Sequence, residues 1–92
     1  MSIDEIIIEQ EFKKLGFDLV NEDSRIAIYE KMVSKTYIHV IDIQITSNGK
    51  VYVSSYDANT NKDGYNDSYP LTEEEMELVL RKIRLMKLNL NL

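Results

Sequence analysis

Residues 37–56, YIHVIDIQITSNGKVYVSSY, decide how the rest of the chain folds: they form two alternating apolar runs joined at Asn48-Gly49. Alternation with period two marks a strand with one buried side, and Asn-Gly supplies the two positive-φ positions that a tight turn between twisted strands requires. The stretch predicts a β-hairpin with a two-residue turn, setting Ile45 opposite Tyr52 and Ile41 opposite Tyr56.

Further strands follow on the N-terminal side. A turn centred on Ser34 and Lys35 sets Ile28 opposite Ile41, Ile26 opposite Ile43 and Met32 opposite Tyr37. A turn at Glu22 and Asp23 sets Leu19 opposite Ile26 and Phe17 opposite Ile28. A one-residue slip would carry every side chain of a strand to the other face, so three agreeing turns are an argument for the topology. The predicted core face carries Phe17, Leu19, Ile26, Ile28, Met32, Tyr37, Ile41, Ile43, Ile45, Tyr52 and Tyr56 of a four-stranded antiparallel meander over residues 17–57.

A helix is predicted on each side of this meander. Ser2 and Glu5 make an S-x-x-E capping box, Ile8, Phe12 and Leu15 form a helical stripe, and Gly16 is placed to end the first helix, residues 1–15. Residues 58–70 are rich in Asn, Asp, Gly, Ser and Thr without apolar periodicity and read as a polar loop. Thr72 and Glu75 form a second capping box for a helix over 72–87, with Leu71 and Met76 spaced as a hydrophobic staple and Met76, Val79, Leu80, Ile83 and Met86 as its buried stripe. The tail LNLNL lies along a sheet edge or frays. The expected fold is a two-layer α+β domain of order α-β-β-β-β-α, with both helices on one face of the sheet. At 92 residues the chain is long enough for one such domain and too short for two.

Composition narrows the function classes. No apolar run is long enough to span a bilayer, and MSIDEIII has acids where a secretory signal has bases, so no membrane association and a cytoplasmic location are expected. The absence of cysteine excludes disulfides, thiolate metal sites and a cysteine nucleophile. The net charge of −5 is accounted for by residues 1–23, where Asp4, Glu5, Glu9, Glu11, Asp18, Glu22 and Asp23 face only Lys13 and Lys14. Direct binding to nucleic-acid phosphate, which relies on clustered Lys and Arg, is disfavoured. The acids either form a solvated helix face or imitate nucleic acid toward a basic partner.

Three features carry chemistry. DANTNKDGYND follows the start of an EF-hand-type calcium loop, with Asn59, Asn61 and Asp63 at alternate ligand positions, Gly64 at the turn, the Tyr65 carbonyl, and Asp67. Pro70 stands where the bidentate Glu belongs, so the site would be weak; the same residues also suit a solvated loop. His39, the only histidine, is placed opposite Glu30, an arrangement that suits a cross-strand polar pair better than a catalytic base, and no cofactor is implied. The sheet face away from the helices carries Tyr29, Ile38, Val40, Val51 and Val53 among Arg25, Ala27, Lys31, Asp42, Gln44 and Ser55, an apolar patch of the kind that forms protein interfaces. Self-association through this face or the edge of the last strand is one use for it.

An N-terminal helix ending in KKLGF, a strand ending in IAIYEK, a hairpin and then SYPLTEEEMELVLRKI resemble the layout of small uncharacterised proteins of phages and prophages of Gram-positive bacteria. The resemblance implies a mobile-element accessory protein, a class that often acts by binding host or phage proteins. The expected function is a non-enzymatic protein-binding or regulatory module. The alternatives are an acidic inhibitor of a host defence or nucleic-acid-binding protein, and a weak calcium-binding module.

Overall fold

Each end of the first helix is fixed by backbone chemistry. In the computed structural model, which describes residues 2–62 and 65–92, α1 runs Ile3–Lys14, and the Ser2 hydroxyl accepts from the Glu5 amide at 3.2 Å. Gly16 adopts φ +96°, letting its own amide reach Lys13 O (2.9 Å) and the Phe17 amide reach Phe12 O (3.0 Å). This left-handed closure is open to glycine at little cost, and it brings Phe17 edge-on to Phe12. Ile8 and Phe12 are buried and Leu15 packs against the core, as the stripe predicts.

The strands are β1 Asp18–Glu22, β2 Ile26–Met32, β3 Ile38–Ile45, β4 Val51–Lys62 and β5 Tyr65–Ser68, antiparallel in chain order, and α2 is Glu73–Asn89. The fold is α+β, with helices at the two ends of the chain and both on one face of the sheet. It carries one more strand than the predicted meander: much of the stretch read as a polar loop is strand, residues 58–62 in β4 and 65–68 in β5. Polarity alone does not forbid a strand at a sheet edge, where neither side need be buried.

Turn length corrects the predicted registers. Asn48-Gly49 does not make a two-residue turn. Thr46 and Lys50 pair instead across Ser47, Asn48 and Gly49: the Thr46 amide donates to Lys50 O at 2.8 Å, Gly49 alone has positive φ (+83°), and the Thr46 hydroxyl accepts from the Lys50 amide at 3.0 Å. Val33 and Tyr37 likewise pair across Ser34, Lys35 and Thr36. The first turn sits at Ser24-Arg25, where Asp23 Oδ1 accepts from the amides of Arg25 and Ile26, and a bulge interrupts β1 between Leu19 and Asn21. Each three-residue loop slips its pairing by one, giving Tyr29 opposite Ile41, Ala27 opposite Ile43, Ile43 opposite Val53 and Ile45 opposite Val51. The inward set of β3 is as predicted; β2 and β4 are turned over.

The core therefore holds Ala27, Tyr29, Ile41, Ile43 and Ile45 from the sheet beneath Ile8, Phe12, Leu78, Val79, Ile83 and Met86 from the helices. Phe12 stacks on Tyr29 with ring centroids 3.8 Å apart. The α2 N-terminus has the complete capping box: Glu75 N donates to Thr72 Oγ1 (3.0 Å) and Thr72 N to Glu75 Oε1 (2.8 Å). The helix is rolled relative to its predicted stripe. Met76 and Leu80 are about half exposed, whereas Glu75, Leu78 and Lys82 are buried. The tail neither frays nor joins the sheet: α2 continues to Asn89, and Asn91, at φ 59°, closes it with the Leu92 amide on Lys87 O at 2.9 Å.

Candidate functional site

Three groups of side chains stand out once the registers are known. The first explains why α2 is rolled. Lys82 is 4% exposed, and its Nζ donates to Glu9 Oε1 of α1 (3.1 Å) and Glu22 Oε2 of β1 (2.7 Å), while the Tyr29 hydroxyl donates to the same Glu9 oxygen (2.5 Å). Burial works against the Lys82 charge, but Glu22 and Glu9 more than offset it, and its pKa stands above the ordinary lysine value. Burial, and then the bond to Glu9, push the Tyr29 phenol well above the usual tyrosine range. The cluster ties four elements together with fixed charges. A hydropathy pattern scores Lys82 as a surface residue, and only the acids that the fold brings to it reverse that.

The second group surrounds His39, which lies opposite Lys31 rather than Glu30 and is 1% exposed. Its ring is stacked on Tyr69 at 4.3 Å and meets Phe17 edge-on at 5.2 Å. His39 Nε2 lies 2.7 Å from Ser55 Oγ, which in turn donates to the Tyr69 carbonyl at 2.6 Å. A carbonyl only accepts, so the serine proton is committed to Tyr69 and His39 must donate its own Nε2 proton to Ser55. A serine nucleophile needs the opposite direction, with the hydroxyl donating to the imidazole. The chain of bonds pins the segment leading into α2. Burial, with a further contribution from the positive Lys31, holds the His39 pKa below the ordinary histidine value, against an opposing pull from Glu75. Beside it, Asp57 Oδ1 accepts from the Ile38 and Asn59 amides, both at 3.0 Å, where β4 leaves its regular pairing.

The third group is the open face of the sheet. With β2 and β4 turned over, the apolar and aromatic residues that reach it are Ile26, Ile28 and Met32 from β2, Ile38 and Val40 from β3, and Tyr52 and Tyr56 from β4. Rows across the sheet run Ile26, Gln44, Tyr52; then Ile28, Asp42, Ser54; then Glu30, Val40, Tyr56, Ser68. Met32 and Tyr52 are 73% and 66% exposed, and Val40 is buried within its row. Both helices lie on the other side of the sheet.

Of the residues predicted for this face, Ile38 and Val40 are on it. Tyr29 is fully buried in the core, Val51 packs against the core from the helix side, and Val53 shares that side opposite Ile43. Both sides of β2 are apolar, Ile26 and Ile28 on one and Ala27 and Tyr29 on the other, so hydropathy could not fix its parity. Of the calcium-loop residues, Asn59 lies in β4 and Asp67 in β5 opposite Asp57; Asp63, and the side chains of Asn61 and Tyr65, lie outside the described residues. Among the described residues no three His, Asp or Glu side chains are grouped to hold a metal ion, and no helix is long and apolar enough to cross a membrane. No protein-family model, curated protein or solved structure matches the chain, and a functional reading rests on this geometry.

Proposed function

We propose that the protein is a small, non-enzymatic protein-binding or regulatory module of the cytoplasm, of the mobile-element kind its layout resembles, and that its partner docks on the open sheet face. The observation that carries this reading is the apolar and aromatic character of a face that neither helix covers, with Met32 and Tyr52 held out to solvent on paired strands. An exposed apolar patch with a polar surround is the usual mark of an interaction surface.

Acidic mimicry has less in its favour, because most of the acids of residues 1–23 are engaged within the chain. Glu9 and Glu22 hold Lys82, Glu11 pairs with Arg81, Asp18 with Lys13 at 3.6 Å, and Glu5 accepts from Asn89 at 2.9 Å.

The test is affinity purification from Gram-positive bacterial cytosol with the wild-type chain and the Met32→Asp/Tyr52→Asp variant. The reading expects a partner that is retained by the wild type and lost by the variant, with melting temperatures that agree within a few degrees. Identical retention by both chains would overturn it.

A further inference from the structure

We infer that the surface docking on the open sheet face is a protein segment with an apolar anchor flanked by Lys or Arg, and not a second copy of this chain. The inference rests on the function proposed above and adds the chemistry of the partner. Its basis is the sign of the charges that the register places among the apolar residues. Glu30 lies directly opposite Val40 on the neighbouring strand, and Asp42 is one step along the same face, opposite Ile28 and Ser54. Both are half-buried, and both act on Tyr56: burial raises the phenol pKa first, and the negative charges of Asp42 and then Glu30 raise it further. Asp18, at the margin, is met by Lys13.

No described basic side chain answers Glu30 and Asp42 on this face. Lys31 points to the other side, over the Phe17 ring, and the Arg25 guanidinium is committed to the carbonyls of Ile45 and Thr46. Lys35 and Lys50 sit in the turns at opposite ends of β3. Two copies meeting face to face would gather Glu30 and Asp42 of both copies inside one apolar contact, where like charges are costly. A partner with Lys or Arg beside its apolar anchor would neutralise them while Met32, Ile38 and Tyr56 are covered. The negative sign equally disfavours a phosphate backbone or an anionic lipid surface.

Backbone-amide NMR of the full chain, titrated with three helical peptides of equal leucine content whose polar positions are all Lys, all Gln or all Glu, tests this. The expected result is shift changes confined to residues around Met32, Ile38 and Tyr56, with the Lys peptide binding roughly tenfold or more tighter than the Glu peptide at low salt. Glu30→Gln/Asp42→Asn should abolish that preference, bringing the Lys and Glu peptides to the same affinity. Binding of all three peptides to this face with equal affinity would overturn the charge inference and leave the docking face standing. Shift changes that map elsewhere would overturn both. Sedimentation showing a dimer that Met32→Asp/Tyr52→Asp dissociates would assign the face to a second copy and overturn the inference.

Discussion

Glu9 accepts from both Lys82 and Tyr29, so one carboxylate at the edge of the core joins both helices to β2. Removing the phenol by Tyr29→Phe keeps the stack on Phe12 but deletes a hydrogen bond to a charged acceptor, a loss of about 1.5–3 kcal/mol. Urea unfolding measures it, and a change within experimental scatter would show that the bond contributes nothing. His39 has a pH signature of its own. Because its folded-state pKa is lowered, the unfolded chain binds the proton more readily. The stability tied to this group is therefore complete above the ordinary histidine value of about 6.5 and declines as pH falls below it. The melting temperature should drop between pH 7 and about 5.5, above the main carboxylate range, and His39→Gln should flatten that drop. A variant with an unchanged slope would assign the pH dependence to other groups.

At the scale of elements, the features legible in the sequence were those set by local chemistry. Ser2, Gly16 and Thr72 mark helix ends because each satisfies backbone groups within its own turn, and the structure uses all three. Turn length was not legible. Asn48-Gly49 suits both a two-residue turn and the end of a three-residue one, and the choice is made by packing: Tyr29 fits beneath Phe12, and Ser55 reaches His39, only with the longer loops. The roll of α2 was hidden for a related reason, since burying Lys82 is favourable only when Glu9 and Glu22 arrive from elsewhere in the chain. Deleting Lys50 while Ser47, Asn48 and Gly49 keep the three-residue loop sets Ile45 opposite Tyr52 and presents Tyr52, Ser54 and Tyr56 to the core in place of Val51, Val53 and Ser55. Circular dichroism should then show no cooperative thermal transition. A stable, cooperatively melting deletion variant would mean that β4 accepts either register.

For the whole molecule, the uneven charge of the sequence becomes a contact between its ends. The acids near the N-terminus meet Arg81 and Lys82 of α2, which makes the excess negative charge partly a structural device. Glu9→Lys, which sets two cations together beside the core, should cost about 3 kcal/mol or more, whereas Asp4→Lys on the exposed first turn should stay within about 0.5 kcal/mol; chemical denaturation of the two variants compares them. The apolar character of the open face was foreseen from the pattern, but most of its residues were not, because it depends on parity along the whole of β2 and β4. Everything proposed for that face rests on the register of β3 against β4, and cross-strand Hα–Hα contacts in an NMR spectrum report it directly. Ser55 turns its carbonyl to the Tyr69 amide and away from β3, so the close pairs of this ladder are Ile41 with Ser55 and Ile43 with Val53. Hα–Hα contacts are expected for those two pairs; contacts between Ile45 and Tyr52 and between Ile41 and Tyr56 would contradict this register.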